Sequence, residues 1–420
     1  MIKENFTNSV MTLTEKKKSE VTDRILKERL NNILPKIMDE QDIDFWIVMG
    51  REFNEGPLLK TFFPSNLKFA RRNMILLFAK DGDSVECMTV YPENNIVKDF
   101  YKGVLRKDEE NDWECINRII KEYNPKNIGI NKSKHIQYTD ELTVSLNEFL
   151  EENIDKKYLD RFVSAEKLGV RWLETRVQEE IDILKEICRM THAVIDKAFT
   201  REVIKPGVTT TTDVEWYMRQ TMTDLGYFYW FGPDVDLQRK GESNSRLSNT
   251  VIEAGDIIHC DIGIKYLGLY SDIQRIAYIA KDNEDSVPKS IEEILVSGNK
   301  FQDIFAANFE EKMTGNKIFE NTMEDAKSES FKPMLYTHPI GFHGHGAGLS
   351  IGKYDNQGPV PVFGDLLLHD STCYSMELNI SQPLEEWDNQ MVFAYLEEDI
   401  VFQDNEVSFL HGRQDKFILI

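Results

Sequence analysis

Two aspartates stand where an acidic side chain is hardest to explain. Asp261 lies within Ile257-Ile258-His259-Cys260-Asp261-Ile262-Gly263-Ile264, and Asp272 within Leu269-Tyr270-Ser271-Asp272-Ile273. Both runs have the apolar, β-branched character of strands. A carboxylate buried there without a partner costs several kcal/mol, so a cation or strong hydrogen bonds must meet it, unless it merely caps a turn. Gly263 and Lys265-Tyr266-Leu267-Gly268 offer turn chemistry between the runs. Two antiparallel strands would then bring the aspartates, eleven residues apart, onto one face.

Imidazole and further carboxylate follow. In Thr337-His338-Pro339-Ile340-Gly341-Phe342-His343-Gly344-His345-Gly346-Ala347-Gly348, three of the eight histidines fall within eight residues, among glycines that let backbone approach closely. A neutral imidazole is a good ligand for zinc, manganese or cobalt when carboxylates complete the shell, although histidine also serves as a polar core residue. Glu377 sits in mid-strand in Ser375-Met376-Glu377-Leu378-Asn379-Ile380. Leu396-Glu397-Glu398-Asp399-Ile400-Val401-Phe402 puts an acidic cluster at the mouth of another strand. Adjacent Glu397 and Glu398 point to opposite faces of a strand, so only one can look inward. By itself that cluster would read as a solvated strand end. One histidine and four carboxylates on several strands suit a pair of carboxylate-bridged divalent ions, Mn²⁺, Co²⁺ or Zn²⁺. Two such ions about 3.5 Å apart share a water, lower its pKa and polarise a carbonyl, which is machinery for hydrolysis near neutral pH.

The elements that must position these groups occupy the second half of the chain. Before them, Ile43–Met49, Met74–Ala79 and Val85–Val90 read as strands, Trp113–Tyr123 as a helix and Ile128–Ile130 as a buried strand. Strands alternating with helices predict a compact α/β domain over residues 1–165. A long helix then links the halves. Val177, Ile181, Leu184, Cys188, Ile195 and Phe199 form its apolar stripe, and Lys205-Pro206-Gly207 closes it. A second helix fits Thr212–Leu225, and strands with carboxylate-bearing interruptions run from about residue 250. The overall class is α/β (α+β), with a second domain over 166–420.

Composition narrows the functions. The 420 residues carry 50 Lys plus Arg against 72 Asp plus Glu, a net charge of −22. So acidic a chain repels nucleic-acid backbones and anionic lipid, so neither partner is expected. Five scattered cysteines, with no CxxC, point to free thiols in a reducing compartment and away from a cysteine zinc site. The N-terminal stretch shows no apolar core with a small-residue cleavage site, and no apolar run is long enough to span a membrane. Cytoplasmic location is the expectation.

The order Asp, Asp eleven residues on, His, Glu, Glu resembles the creatinase/aminopeptidase P/methionine aminopeptidase metallohydrolases of the pita-bread fold. Ala254-Gly255-Asp256 leads to Asp261-Ile262-Gly263, and Ser271-Asp272 follows. His338-Pro339-Ile340-Gly341, with His345 seven residues on, is similar to the family's H-x-x-G…H spacing. Met376-Glu377-Leu378 and Glu398-Asp399 complete the set, and Ile204-Lys205-Pro206-Gly207-Val208-Thr209 resembles the segment after the linking helix. The likeness is strong over about residues 165–405, and weaker before them, where it implies a creatinase-like domain. It implies that Asp261 chelates one metal, that His338 and Glu377 bind the other, and that Asp272 and Glu398 bridge both. Glu398 is preferred over Glu397 because the family's last ligand directly precedes an acidic or polar residue, here Asp399. The resemblance further implies two divalent ions, manganese first, with cobalt or zinc as alternatives. It casts His345 as hydrogen-bond donor to the tetrahedral intermediate and Glu377 as proton carrier between water and leaving amine. A homodimer is implied by the same analogy.

Two departures bear on specificity. The family's peptidases carry a histidine about 17 residues before the first aspartate, where this chain has Asn244. Aminopeptidase P members have an arginine two residues before the last glutamate, where Leu396 stands. Tyr227-Phe228-Tyr229-Trp230-Phe231-Gly232-Pro233 offers an aromatic approach that could shape the pocket instead. The expected function is a dinuclear metal-dependent exopeptidase, Xaa-Pro aminopeptidase- or dipeptidase-like, acting on short peptides. The alternative is a metal-dependent hydrolase or lyase of a small non-peptide metabolite. A non-catalytic interaction protein would typically have lost ligands that this chain retains.

Overall fold

A computed structural model describes residues 13–67, 73–92 and 97–420; the first twelve residues of the stretch read for a leader lie outside them. The chain forms two compact units, residues 14–177 and residues 178–420, with Leu13 belonging to the second. The division falls after Val177 and not at 165, because helix Glu166–Glu174 is built into the first unit. Its Trp172 stacks on Phe62 at 4.3 Å and donates to Thr61 Oγ1 at 2.7 Å, while Arg171 reaches Glu40 at 3.0 Å.

The first unit is organised by a six-stranded mixed sheet made of Phe45–Arg51 (β1), Asn73–Asp81 (β2), Ser84–Thr89 (β3), Lys102–Gly103 (β4), Ile128–Ile130 (β5) and Phe162–Ser164 (β6). Its order is β4-β3-β2-β1-β5-β6, with β1 antiparallel to β2 and parallel to β5. The central strands are apolar on both faces because both are covered. Phe45, Ile47, Met49, Ile75 and Leu77 pack with Ile116 and Ile120 of helix Asp112–Tyr123. Trp46 and Phe78, one residue out of phase, meet Phe62 on the other side. That helix starts at a capping box formed by Asn111 and Glu114, and ends at left-handed Asn124.

The second unit begins with helices Gln178–Ala198 and Thr211–Asp224. Its strands are Phe228–Tyr229 (β7), Asp234–Gln238 (β8), Ile257–Ile262 (β9), Ile264–Tyr266 (β10), Leu269–Tyr270 (β11), Ile273–Tyr278 (β12), Lys332–Leu335 (β13), His338–Pro339 (β14), Thr372–Leu384 (β15), Gln390–Gln403 (β16), Glu406–Phe409 (β17) and Ile418–Leu419 (β18). Nine of them form one sheet with the path β13-β15-β16-β12-β9-β8, and β14, β17 and β18 pair alongside. β9 and β12 are antiparallel, as the spacing of Asp261 and Asp272 predicts. Between them the chain leaves the large sheet, makes the β10–β11 hairpin through Leu267 and Gly268 (both at positive φ), and returns. Met376, Leu378 and Leu396 join Phe301 and Phe305 of helix Lys289–Ala306 in the main core. Burying each leucine there contributes about 1.5–3 kcal/mol. The strand alternation that buries these residues turns Glu377 and Glu397 to the opposite side. Among the described residues no helix is long and apolar enough to cross a membrane.

Candidate metal centre

Four polar side chains line up across four adjacent strands. Glu377 on β15 lies opposite Glu397 on β16, Glu397 opposite Gln274 on β12, and Gln274 opposite Asp261 on β9. Residues directly opposite in a ladder share a face, so the row is a consequence of register. Asp272, two residues before Gln274, joins it. His338 enters from β14, its Nε2 lying 3.6 Å from Asp272, 3.7 Å from Glu397 and 3.9 Å from Glu377. Ligand atoms of Asp261, Asp272 and Glu397 lie within 4.8 Å of one another, as do those of His338, Glu377 and Glu397, and those of Asp272, His338 and His345.

The structure corrects one residue of the expected set: Glu397, and not Glu398, turns into the cluster. Glu398 is 3% exposed and is occupied elsewhere, by Arg275 Nη2 at 2.8 Å, His192 Nε2 at 3.1 Å and the backbone N–H of Gln414 at 3.1 Å. Adjacent strand residues diverge, and the pairing of Glu397 with both Glu377 and Gln274 decides which one faces inward. With Glu397 in this place, the residue two positions before it is Tyr395. Asn244 is exposed and its amide donates to Arg246 O at 3.2 Å.

The electrostatics call for a cation. Burial, then Glu397 and Asp261, push Asp272 well above the usual carboxylate range; burial, then Glu377 and Asp261, do the same to Glu397. Burial pushes Glu377 up to about 8, with Asp261 adding to it. Burial likewise raises Asp261 to about 6, against the pull of His259 and Arg246. His338 is pushed down to about 4 by burial and then by His345, and burial lowers His345 as well. Asp261 Oδ1, Asp272 Oδ1 and His338 Nε2 are buried with no hydrogen-bond partner among the described residues. Such groups are normally satisfied, and three lone pairs of this kind converging among carboxylates fit a divalent ion. His338 Nδ1 faces Pro339 O at 3.0 Å, which assigns its proton to that nitrogen and turns the Nε2 lone pair to the carboxylates.

Surrounding groups were missed in the sequence. Gln274 Nε2 donates to Glu377 Oε1 at 2.8 Å and to Glu397 Oε2 at 2.7 Å. Its Oε1 faces His259 Nε2 at 2.9 Å, and His259 Nδ1 faces Asp236 Oδ2 at 3.2 Å. The available signal was the two-residue period of a strand, which puts His259 beside Asp261 and Gln274 beside Asp272. The aromatic stretch contributes Trp230, edge-on to His345 at 5.1 Å, with Nε1 donating to Ser271 O at 3.0 Å. A Cβ at Gly263 or Gly344 would collide with its ring, so those glycines allow the indole to close on the site.

The model of metallopeptidase family M24 matches residues 182–404, more than half of the chain. This chain belongs to metallopeptidase family M24. Membership implies the use of divalent metal ions, and the cluster just described lies within the matched region. A provisionally assigned Xaa-Pro aminopeptidase of Mycoplasma pneumoniae is 26% identical over 213 residues, 50% of this chain and 56% of that protein. The uncharacterized peptidase YqhT of Bacillus subtilis is 24% identical over 266 residues, 61% of this chain and 66% of that protein. The chain thus spans between half and two thirds of the length of these curated relatives. The M24 chain also shares its pita-bread fold with solved structures. The X-Pro aminopeptidase from Thermotoga maritima superposes with a TM-score of 0.64 at 16% identity, covering 92% of this chain and 100% of that one. The prolidase from Pyrococcus furiosus gives 0.57 at 18%, covering 91% and 100%.

Proposed function

We propose that this M24 protein is a dinuclear metal-dependent exopeptidase that hydrolyses the N-terminal peptide bond of short peptides, with an Xaa-Pro aminopeptidase- or dipeptidase-like preference. The observation that carries the reading is the convergence of Asp261, Asp272, His338, Glu377 and Glu397, with three buried atoms that have no hydrogen-bond partner among the described residues. Asp261, Asp272, His338, Glu377 and Glu397 would hold the two ions. An oxygen-rich set with one imidazole suits manganese, with cobalt or zinc as substitutes. When bound, the pair supplies a water acidified toward neutral pH and polarisation of the scissile carbonyl. The names of the relatives supply the peptide class.

The chain's own residues do the rest. Glu377, held through Oε1 by Gln274, takes the proton of the attacking water and returns it to the leaving amine nitrogen. His345, kept neutral by burial, donates an N–H to the oxygen that gains negative charge. Trp230 packs edge-on against His345 and forms one wall of the site. The same reading places the protein in the cytoplasm, in line with its five free cysteines, as a homodimer by analogy with relatives.

The deciding experiment is mass-spectrometric cleavage of a peptide panel, with and without proline in second position, after Mn²⁺ loading and after chelation, with metal content measured in parallel. The expected result is two ions per chain and chelator-sensitive release of the residue before proline. Protein that holds two ions and cleaves no peptide overturns the exopeptidase reading in favour of a non-peptide metabolite. Protein that binds no ion overturns the metal centre itself.

A further inference from the structure

We propose that Gln274 is a positioning residue that holds Glu377 and Glu397 in place for the metal pair, and that His259, backed by Asp236 and Arg246, anchors the oxygen end of the Gln274 amide. The proposal rests on the dinuclear reading above and deepens it.

The two glutamates come from different strands, face each other in register and repel when ionised. A single NH₂ group spans them, each of its hydrogens directed at one carboxylate oxygen, at 2.8 and 2.7 Å. Carboxylates only accept, so a flipped amide would set its carbonyl oxygen against two anionic oxygens. Gln274 is 4% exposed, and no bulk water compensates for that error. The two carboxylates thus fix the NH₂ group on their side, and the amide oxygen turned away from them meets His259. Its Nε2 lies 2.9 Å from Gln274 Oε1 and can only donate there, while its Nδ1 is held 3.2 Å from Asp236 Oδ2. Asp236 in turn receives Arg246 Nε at 2.7 Å, and Arg246 Nη2 reaches Asp234 at 2.9 Å. The Tyr395 ring, 5.2 Å from the imidazole, packs against it. The line therefore runs from the edge strand β8 through β9 and β12 to the carboxylates on β15 and β16. Asp236, His259, Gln274 and Glu397 are nine-tenths or more buried among the strands that carry the ligands.

Groups of this kind set metal affinity by orienting ligands, typically by about 10- to 100-fold. The test is calorimetric titration of the chelated full-length protein with Mn²⁺, together with the thermal midpoint of each metal-free variant to confirm folding. His259→Phe and Gln274→Met should each weaken Mn²⁺ binding by about 10- to 100-fold. The double variant should lose little more than the larger single loss, because both act through one amide. His259→Gln, which can still donate to Gln274 Oε1, should recover most of the affinity, a rescue that loss of packing alone would not give. Wild-type affinity in His259→Phe, or losses that multiply in the double variant, would overturn the proposal while leaving the metal centre standing. Should His259→Phe fail to fold, Gln274→Met with undiminished affinity overturns it equally. A wild-type protein that takes up no Mn²⁺ would instead bring down the function proposed above.

Discussion

Each unit buries carboxylate inside its fold, and the two do so in opposite ways. In the first, Glu141 is 9% exposed, and both of its oxygens are met by donors: the backbone N–H groups of Leu58 and Leu59 at 2.7 and 3.0 Å, and Asn131 Nδ2 at 2.9 Å. Asn131 is itself oriented by Trp46 Nε1 at 2.7 Å. In the second, Asp261, Asp272, Glu377 and Glu397 face one another, and two of their oxygens have no hydrogen-bond partner among the described residues. Burial raises the pKa in both places, to about 7 for Glu141. The difference lies in what answers the charge. A carboxylate surrounded by N–H groups is finished as it stands and ties a loop to a sheet. A nest of carboxylates sharing one buried imidazole needs positive charge from outside the chain.

The comparison breaks first if the nest can lose a member at no cost. Asp272→Ala or Glu397→Ala should lower kcat/KM by at least about a thousandfold, since the ions contribute several kcal/mol and each ~1.4 kcal/mol is a factor of ten. Full turnover with two ions still bound in either variant would undo the ligand assignment. Next in size is Glu398→Gln, which deprives the largely buried Arg275 of its partner. It should lower the thermal midpoint, by up to about 3–5 kcal/mol in stability, yet leave two ions in place. Loss of an ion there, with Glu397→Gln retaining both, would reverse the register argument. His345→Ala should slow turnover by about 10²–10³-fold with metal content intact, and loss of metal would mean that His338 and His345 exchange roles.

The smallest effect sharpens the other side of the contrast. Glu141 has its folded pKa raised, to about 7, above an unfolded value of about 4.3. The folded unit therefore keeps a proton that the unfolded chain releases. That contribution to stability is complete below about pH 4 and is lost as pH rises through about 7. Between pH 5.5 and 8.5 the thermal midpoint should fall by a few degrees more in the wild type than in Glu141→Gln. Equal falls in both would show that the donors around Glu141 hold it ionised throughout.

Much of the site was legible because its signals are local. Asp261 and Asp272 stand out as acids inside apolar strands, and the antiparallel pairing of β9 with β12 puts them on one side. Glu377 is read the same way, whereas His338 stands out among three clustered histidines only through its resemblance to the H-x-x-G…H spacing. The central strands of the first unit were legible for a related reason: runs such as Phe45–Met49 are apolar on both faces and can only be interior strands. Glu397 was misjudged in favour of its neighbour, since the sequence shows two adjacent glutamates and not which strand face looks inward. Gln274 and His259 went unremarked because a lone amide or imidazole in a strand has an ordinary structural reading until its partners are known. The boundary at 177 eluded composition because helix Glu166–Glu174 has no linker before it and declares its unit only by stacking Trp172 on Phe62.

The sequence by itself determined which chemical groups are available and in what order: five metal-competent side chains, each placed on a strand or beside one. The tertiary structure decided the choice between Glu397 and Glu398 and the path from Arg246 through Asp236 and His259 to Gln274. Both depend on lateral register among β8, β9, β12, β15 and β16, segments up to about 170 residues apart in the chain. Pairing at that separation is set by the packing of the whole sheet on its core, and a slip of one residue would turn every one of these side chains to the other face.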